Sequence, residues 1–119
     1  GFQVLCAPRD IGALPLPARG TALIECLCHL TANEMFDAAG GWRDPAERLL
    51  SDLATLERRC AALIVVTNEV GAGTEEEYSE GTRRYVETLG RLNAALAARF
   101  DTVCEMVAGI PLVRKGALP

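Results

Sequence analysis

The sequence has few aromatic residues, one lysine and one histidine. Aromatic side chains make up 5% of the 119 residues, so the core has to be built from leucine, valine, isoleucine and alanine. The only lysine, Lys115, is followed by glycine, which excludes a G-x-x-x-x-G-K-[ST] phosphate-binding loop. No apolar run approaches the roughly 18 residues of a membrane span, and no signal-peptide pattern is present. We therefore expect a soluble, cytoplasmic protein with no membrane span.

Charge and cysteine content narrow the function classes further. Sixteen acidic against twelve basic residues give a net charge of −4, and the basic residues are scattered along the chain, so we expect no nucleic-acid partner. The five cysteines form no C-x-x-C pair, and most lie within or beside apolar runs. This pattern favours buried free thiols over metal ligands or disulfides. The cysteines are Cys6, Cys26, Cys28, Cys60 and Cys104.

One stretch in the middle of the chain stands out, AALIVVTNEVGAG. Its apolar run Leu63–Val66 has no polar alternation, which predicts a strand buried on both faces of a parallel sheet. A hydroxyl, an amide and a carboxylate follow where the strand should end, from Thr67, Asn68 and Glu69. Ligands of open α/β sheets bind beyond the carboxyl ends of the strands, so this strand end is a candidate site.

Two glycines, Gly71 and Gly73, open a loop behind this strand end. Polar residues are also common where strands turn, so the same pattern is compatible with a purely structural turn that begins at Asn68 and Glu69. The residues alone leave the binding site and the turn equally open.

Glu25 lies close to the end of a second apolar segment, Thr21–Cys26, that we predict to be a buried strand. A carboxylate in this position suits a Mg²⁺-nucleotide site, where it holds the cation directly or through water. It also suits the start of a helix, where the dipole favours an acid. The lone histidine, His29, lies off the apolar stripe of the following helix and is expected to face solvent rather than to act as a nucleophile.

The helix expected over Ser79 to Arg99 has an apolar stripe and an exposed i,i+4 pair, Glu80 and Arg84. Gly90 in its middle predicts a close backbone approach, since glycine there is otherwise unfavourable. Asn93 flanks the stripe and is expected to bond a neighbouring loop.

Strands and long helices alternate along the chain, which predicts an α/β domain with a mostly parallel sheet layered with helices. The remaining predictions are a strand at Phe2–Cys6, a helix at Leu27–Ala38, a helix capped by Asp44, a strand at Asp101–Val107 and a basic-tinged tail at Leu112–Pro119.

Four segments, taken in order, resemble the adenosylcobinamide kinase / adenosylcobinamide-phosphate guanylyltransferase family of cobalamin biosynthesis. They are ECLCHLTANEMF (Glu25–Phe36), VVTNEVGAG (Val65–Gly73), GRLNAALAARFDTV (Gly90–Val103) and VAGIPLVRK (Val107–Lys115). The resemblance covers most of this chain and the later two thirds of a family member. It implies a P-loop-NTPase or RecA-like fold without the P-loop segment.

The resemblance implies an enzyme that assembles the nucleotide loop of a corrinoid. Adenosylcobinamide is phosphorylated by a nucleoside triphosphate, and GMP is then transferred from GTP to that phosphate through a guanylylated histidine. Mg²⁺ with GTP or ATP is the implied cofactor, the corrinoid the implied substrate, and a homo-oligomer the implied assembly. Glu25 matches the acid near Mg²⁺, and Asn68, Glu69, Gly71 and Gly73 match the nucleotide-binding strand end and loop.

The family's phosphate loop and guanylylated histidine lie upstream of the matched segments, so no catalytic residue is assigned. We expect residues 1–119 to be one domain, the later part of a longer nucleotide-binding domain, and to be inactive alone. Cys6, Ala7 and Cys28 depart from the family pattern, which motivates an alternative, a non-catalytic domain that binds a nucleotide, a corrinoid or another protein. A third possibility is an unrelated fragment whose glycine loop is structural. The family interpretation requires Glu25 to converge with Asn68 and Glu69 on one cavity.

Overall fold

The computed structural model describes residues 5, 7, 9–16, 19–36, 41–68 and 79–118. Within these residues, four strands and three α-helices follow a short 3₁₀ helix, Ile11–Ala13. The elements in chain order are β1 (Thr21–Ile24), α1 (Leu27–Met35), α2 (Ala46–Arg59), β2 (Ala62–Val65), α3 (Glu80–Arg99), β3 (Val103–Val107) and β4 (Ile110–Lys115). The strand predicted at Phe2–Cys6 lies outside the described residues apart from Leu5.

Strands β1 and β2 pair in parallel with Thr21 opposite Ala62 and Ile24 opposite Val65. Both strands were predicted, but the expectation that they are buried on both faces is wrong for the described part of the chain. Ile24, Leu63 and Val65 contact the core, whereas the alternate residues Leu23 and Ile64 are 52% and 51% exposed. The reason is that the described helices cover only one face of this pair.

The core is formed mainly by leucines of the three helices, as the low aromatic content required. Its buried residues are Ile11, Leu27, Cys28, Leu30, Leu49, Leu53, Leu56, Leu89, Leu92 and Leu96. Helices α2 and α3 present these residues at three- and four-residue steps, the spacing of a single buried stripe. All three predicted helices are confirmed, with α1 ending at Met35, three residues earlier than expected.

Asp44 stabilises the start of α2, close to the predicted arrangement. Its Oδ1 atom accepts the backbone N–H of Ala46 at 3.0 Å, while Pro45 is the residue that immediately precedes the helix. Its other oxygen accepts from Arg91 of α3 at 2.8 Å. The bond from Ala46 and then the Arg91 guanidinium lower the pKa of Asp44, so its contribution to stability is lost as the pH falls through that lowered value.

The last two strands form an antiparallel hairpin, which corrects two predictions. The strand predicted at 101–107 is confirmed as β3, but it does not join β1 and β2 in a parallel sheet, and the expected tail forms β4. Ala108 and Gly109 both have positive φ, the geometry of a two-residue turn whose twist matches that of the strands. β4 was not predicted because it contains Pro111, and proline occurs in sheets only at edge strands, strand ends and bulges.

The α/β class is confirmed, although the described strands form one parallel and one antiparallel pair rather than a mostly parallel sheet. Among the described residues, none of the helices has the length and apolar character needed to cross a membrane.

Gly90 and Gly116 can be compared to test where the backbone tolerates a side chain. No described atom lies within 4 Å of a Cβ at Gly90, so the close approach expected there is wrong, whereas Gly116 has φ +70° and a Cβ would press on the Asp101 carbonyl oxygen. Gly90→Ala should therefore raise the free energy of unfolding by about 0.5–1 kcal/mol, because it removes the glycine penalty in a helix.

Gly116→Ala should instead lower that free energy by about 1 kcal/mol or more. Urea denaturation of the full product of the encoding gene measures both changes. Destabilisation by Gly90→Ala would show that the position is crowded after all.

Candidate functional site

The carboxyl ends of β1 and β2 lie side by side at one edge of the parallel pair. Beyond the last paired residues, the Val66 N–H donates to the Ile24 carbonyl at 3.0 Å, and the Leu27 N–H donates to the Val66 carbonyl at 2.9 Å. The segments that follow β1 and β2 are therefore adjacent where they extend beyond the sheet. The first continues into α1, and the second carries Thr67 and Asn68. We call this region, Glu25–Leu27 with Val66–Asn68, the carboxyl edge.

Glu25 lies at the carboxyl edge with its side chain exposed to solvent. Within the described part of the chain its carboxylate makes no hydrogen bond or ion pair, and α1 receives no side-chain cap from the preceding residues. No group of three or more His, Cys, Asp or Glu residues that could enclose a metal ion occurs among the described residues. A single free carboxylate fits Mg²⁺ bound to a nucleotide, because this ion takes one or two carboxylates together with phosphates and water.

Thr67 and Asn68 follow β2 at the same edge and are held by α3. The Thr67 hydroxyl donates to Oδ1 of Asn93 at 2.7 Å, and Nδ2 of Asn93 donates to the Asn68 carbonyl at 3.1 Å. The prediction that Asn93 bonds a neighbouring loop is confirmed. The Asn68 side chain is exposed and lies at the same edge as Glu25, while Glu69, Gly71 and Gly73 lie outside the described residues.

The cysteines behave largely as the sequence indicated. Cys28 and Cys60 are buried free thiols, and Cys26 and Cys104 are half-buried and free. Cys28 packs in the core, and its carbonyl accepts from the Tyr85 hydroxyl at 3.3 Å. Burial, and then the neighbouring Cys28 thiol, raise the pKa of Tyr85 to about 12. Cys28 therefore contributes to core packing.

His29 is exposed, as expected of a side chain that lies off the buried stripe of α1.

A buried carboxylate at the other end of α1 was missed by the sequence analysis. The Glu34 side chain is fully buried, with Oε2 at 3.3 Å from Nε of Arg48 and 3.6 Å from a guanidinium nitrogen of Arg43. Arg48 also pairs with Asp10. The signal was available, because Glu34 occurs at helical spacing after Leu27, Leu30 and Thr31 and thus on the apolar face.

Arg9 and Arg43 close the carboxyl-terminal end of α1. Arg9 donates to the carbonyls of Asn33 and Phe36 at 2.8 and 2.7 Å, and Arg43 Nε donates to the Glu34 carbonyl at 3.0 Å. Their side chains, with Glu34, Met35, Phe36 and Trp42, line a cavity of about 290 Å³. Since α1 has nine residues, this end is about 13 Å from the carboxyl edge. These charges stabilise the helix end and do not belong to the candidate site.

Helices layered on a parallel strand pair, with polar groups at its carboxyl edge, define an α/β protein of the kind that binds ligands at strand ends. The model of the cobinamide kinase / cobinamide phosphate guanyltransferase family matches residues 1–113, and the chain belongs to this family. The resemblance found in the four sequence segments is thereby confirmed.

Three curated relatives are similar to the chain. The bifunctional adenosylcobalamin biosynthesis protein CobU of Salmonella typhimurium is 36% identical over 74% of this chain and 54% of its own length. The protein of the same name from Escherichia coli is 35% identical over the same shares. The bifunctional adenosylcobalamin biosynthesis protein CobP of Pseudomonas aeruginosa is 41% identical over 79% of this chain and 53% of its own length. The chain thus spans about half the length of these relatives.

Glu25 and Glu34 allow the two kinds of carboxylate to be separated experimentally. Glu25→Gln should change the free energy of unfolding by less than about 0.5 kcal/mol, because the side chain is exposed and unpaired within the described residues. Glu34→Gln should lower it by about 1–2 kcal/mol, since two arginines lose their partner. The loss is smaller than for a fully buried pair, because Arg43 and Arg48 are 52% and 46% exposed.

Chemical denaturation of the full gene product, with both variants measured side by side, checks this difference. Equal effects of the two substitutions would contradict the assignment of Glu34 to structure and Glu25 to the site.

Proposed function

We propose that the chain acts in cobalamin biosynthesis, as part of a transferase that assembles the nucleotide loop of a corrinoid. The reactions are phosphorylation of adenosylcobinamide by a nucleoside triphosphate and transfer of GMP from GTP to adenosylcobinamide phosphate. Membership of the family and the names of the three relatives, all bifunctional adenosylcobalamin biosynthesis proteins, support this assignment.

The observation that carries the proposal is that Glu25 and the segment Thr67–Asn68 both follow directly on paired strands at the carboxyl edge. The backbone hydrogen bonds between Ile24, Val66 and Leu27 hold the segments that follow β1 and β2 next to each other. The segments that carry Glu25 and Thr67–Asn68 thereby begin side by side at the edge where α/β proteins bind ligands. In the proposed enzyme this edge contacts GTP, with Asn68, Glu69, Gly71 and Gly73 on the nucleotide side.

Glu25 would hold Mg²⁺ in this arrangement. When bound, Mg²⁺ neutralises charge that develops on the phosphoryl oxygens during transfer. The Glu25 carboxylate is exposed and has no partner within the described part of the chain. It can therefore accept hydrogen bonds from water molecules bound to the ion without first losing another contact. Thr67 adds a hydroxyl oxygen whose proton is already donated to Asn93.

We do not propose that Lys115, the lysine of this chain, binds the phosphates of the nucleotide. Lys115 donates to the carbonyls of Ala97 and Ala98 at 3.0 and 2.9 Å, which fixes β4 to the end of α3. The proposal therefore requires the phosphate loop and guanylylated histidine that the family carries upstream of the matched segments. A P-loop-NTPase or RecA-like fold, a homo-oligomer and a cytoplasmic location belong to the same proposal.

The test is an assay of the full gene product with adenosylcobinamide, GTP and Mg²⁺. The corrinoid products are separated, and their masses are measured by mass spectrometry. We expect two products, one with an added phosphoryl group and a later one with an added guanylyl group. Glu25→Gln should lower the rate by about 10²-fold or more, because charge stabilisation through the metal is weakened. Asn33→Ala, on an exposed position of α1, is the matched control and should leave the rate unchanged.

Binding of GTP or cobinamide without either product would contradict the enzyme proposal and favour the non-catalytic alternative. Calorimetry with each ligand separately distinguishes that outcome from a protein that binds neither.

A further inference from the structure

We propose that Asn93 is a positioning residue for the nucleotide site, fixing the end of β2 through two hydrogen bonds. This inference rests on the proposed function, because it concerns the same carboxyl edge. Asn93 belongs to α3 and is separated by 26 residues from Thr67 and by 25 from Asn68. It therefore connects the site to an element that is distant in sequence.

Both functional groups of the Asn93 amide are used. Its oxygen accepts the Thr67 hydroxyl at 2.7 Å, and its nitrogen donates to the Asn68 carbonyl at 3.1 Å. One bond thus holds a side chain and the other holds the backbone of the next residue. Only an amide of this length supplies an acceptor and a donor together; an aspartate could accept from Thr67 but would repel the Asn68 carbonyl.

The first bond also determines what Thr67 presents to a ligand. A hydroxyl has one proton to donate and two lone pairs, and Thr67 gives its proton to Asn93. The oxygen is then available to a ligand only as an acceptor. Acceptor oxygens suit the waters around Mg²⁺ or the N–H groups of a base, and they disfavour direct contact with phosphate oxygens.

Helix α3 is a rigid support for this arrangement. Leu89, Leu92 and Leu96 are buried in the core on the turns around Asn93, so the position of its backbone is set by packing against α1 and α2. Asn93 itself is half-buried at the rim of a groove of about 120 Å³ that also includes Thr67, Phe100 and Val103. The position of the end of β2 is therefore fixed by the packed helix α3 as well as by its pairing with β1.

The test is steady-state kinetics of the full gene product with GTP as the varied substrate. Asn93→Ala should raise the KM for GTP by about tenfold, since two hydrogen bonds that orient the binding residues are lost, with kcat changed by less than about twofold. Thr67→Val should raise the KM by about threefold, and Thr67→Ser should restore it. Asn93→Asp should be at least as impaired as Asn93→Ala. Asn33→Ala is the matched control for removing an amide from an exposed helix position.

The outcomes separate the two proposals. Wild-type protein that transfers neither a phosphoryl nor a guanylyl group would overturn the proposed function. Active wild-type protein with an unchanged KM in Asn93→Ala, or with a loss confined to kcat, would overturn the positioning role alone. A KM raised equally by Thr67→Ser and Thr67→Val would do the same, because a merely steric effect would then explain the change.

Discussion

The parallel pairing of β1 with β2 is the constraint on which the candidate site depends. Its register, with Ile24 opposite Val65, continues beyond the strands through the bonds that join Ile24, Val66 and Leu27. A slip of one residue would turn Leu63 and Val65 away from the helices, so burial of the core also fixes the register. The requirement to bury leucine, isoleucine and valine thereby places Glu25 and Asn68 at one edge.

Stabilising charges and candidate site charges lie at opposite ends of α1. At the carboxyl-terminal end, the buried Glu34 carboxylate pairs with Arg43 and Arg48, and Arg43 also donates to the Glu34 carbonyl. At the amino-terminal end, Glu25 is exposed and unpaired within the described residues. A carboxylate that already has partners costs stability when it is changed, whereas one without partners remains available to a ligand. This division is the physical reason for assigning function to Glu25.

Local patterns predicted the helices and the existence of the strands, but not how the strands associate. The leucine stripes located all three helices because burial follows helical spacing, and the apolar segments at 21–26 and 63–66 predicted the strands found at 21–24 and 62–65. Burial on both faces was inferred wrongly because an apolar run does not reveal what covers it. The antiparallel β4 was missed because Pro111 argues against a strand, although β4 lies at an edge. That Asn93 bonds a neighbouring loop was predicted from its place beside the apolar stripe, but its partners Thr67 and Asn68 depend on tertiary packing. The burial of Glu34 also depends on packing, although helical spacing indicated it.

The central claim is that a divalent cation bound with GTP lies at the carboxyl edge, next to Glu25 and the end of β2. Nuclear magnetic resonance of the full gene product with GTP and Mn²⁺ in place of Mg²⁺ tests it directly, because the paramagnetic ion broadens nearby amide signals. The account predicts the strongest broadening at residues 25–27 and 66–68, with weaker broadening at 34–36, about 13 Å away at the far end of α1. Strongest broadening around Glu34, or none at the carboxyl edge, would contradict it.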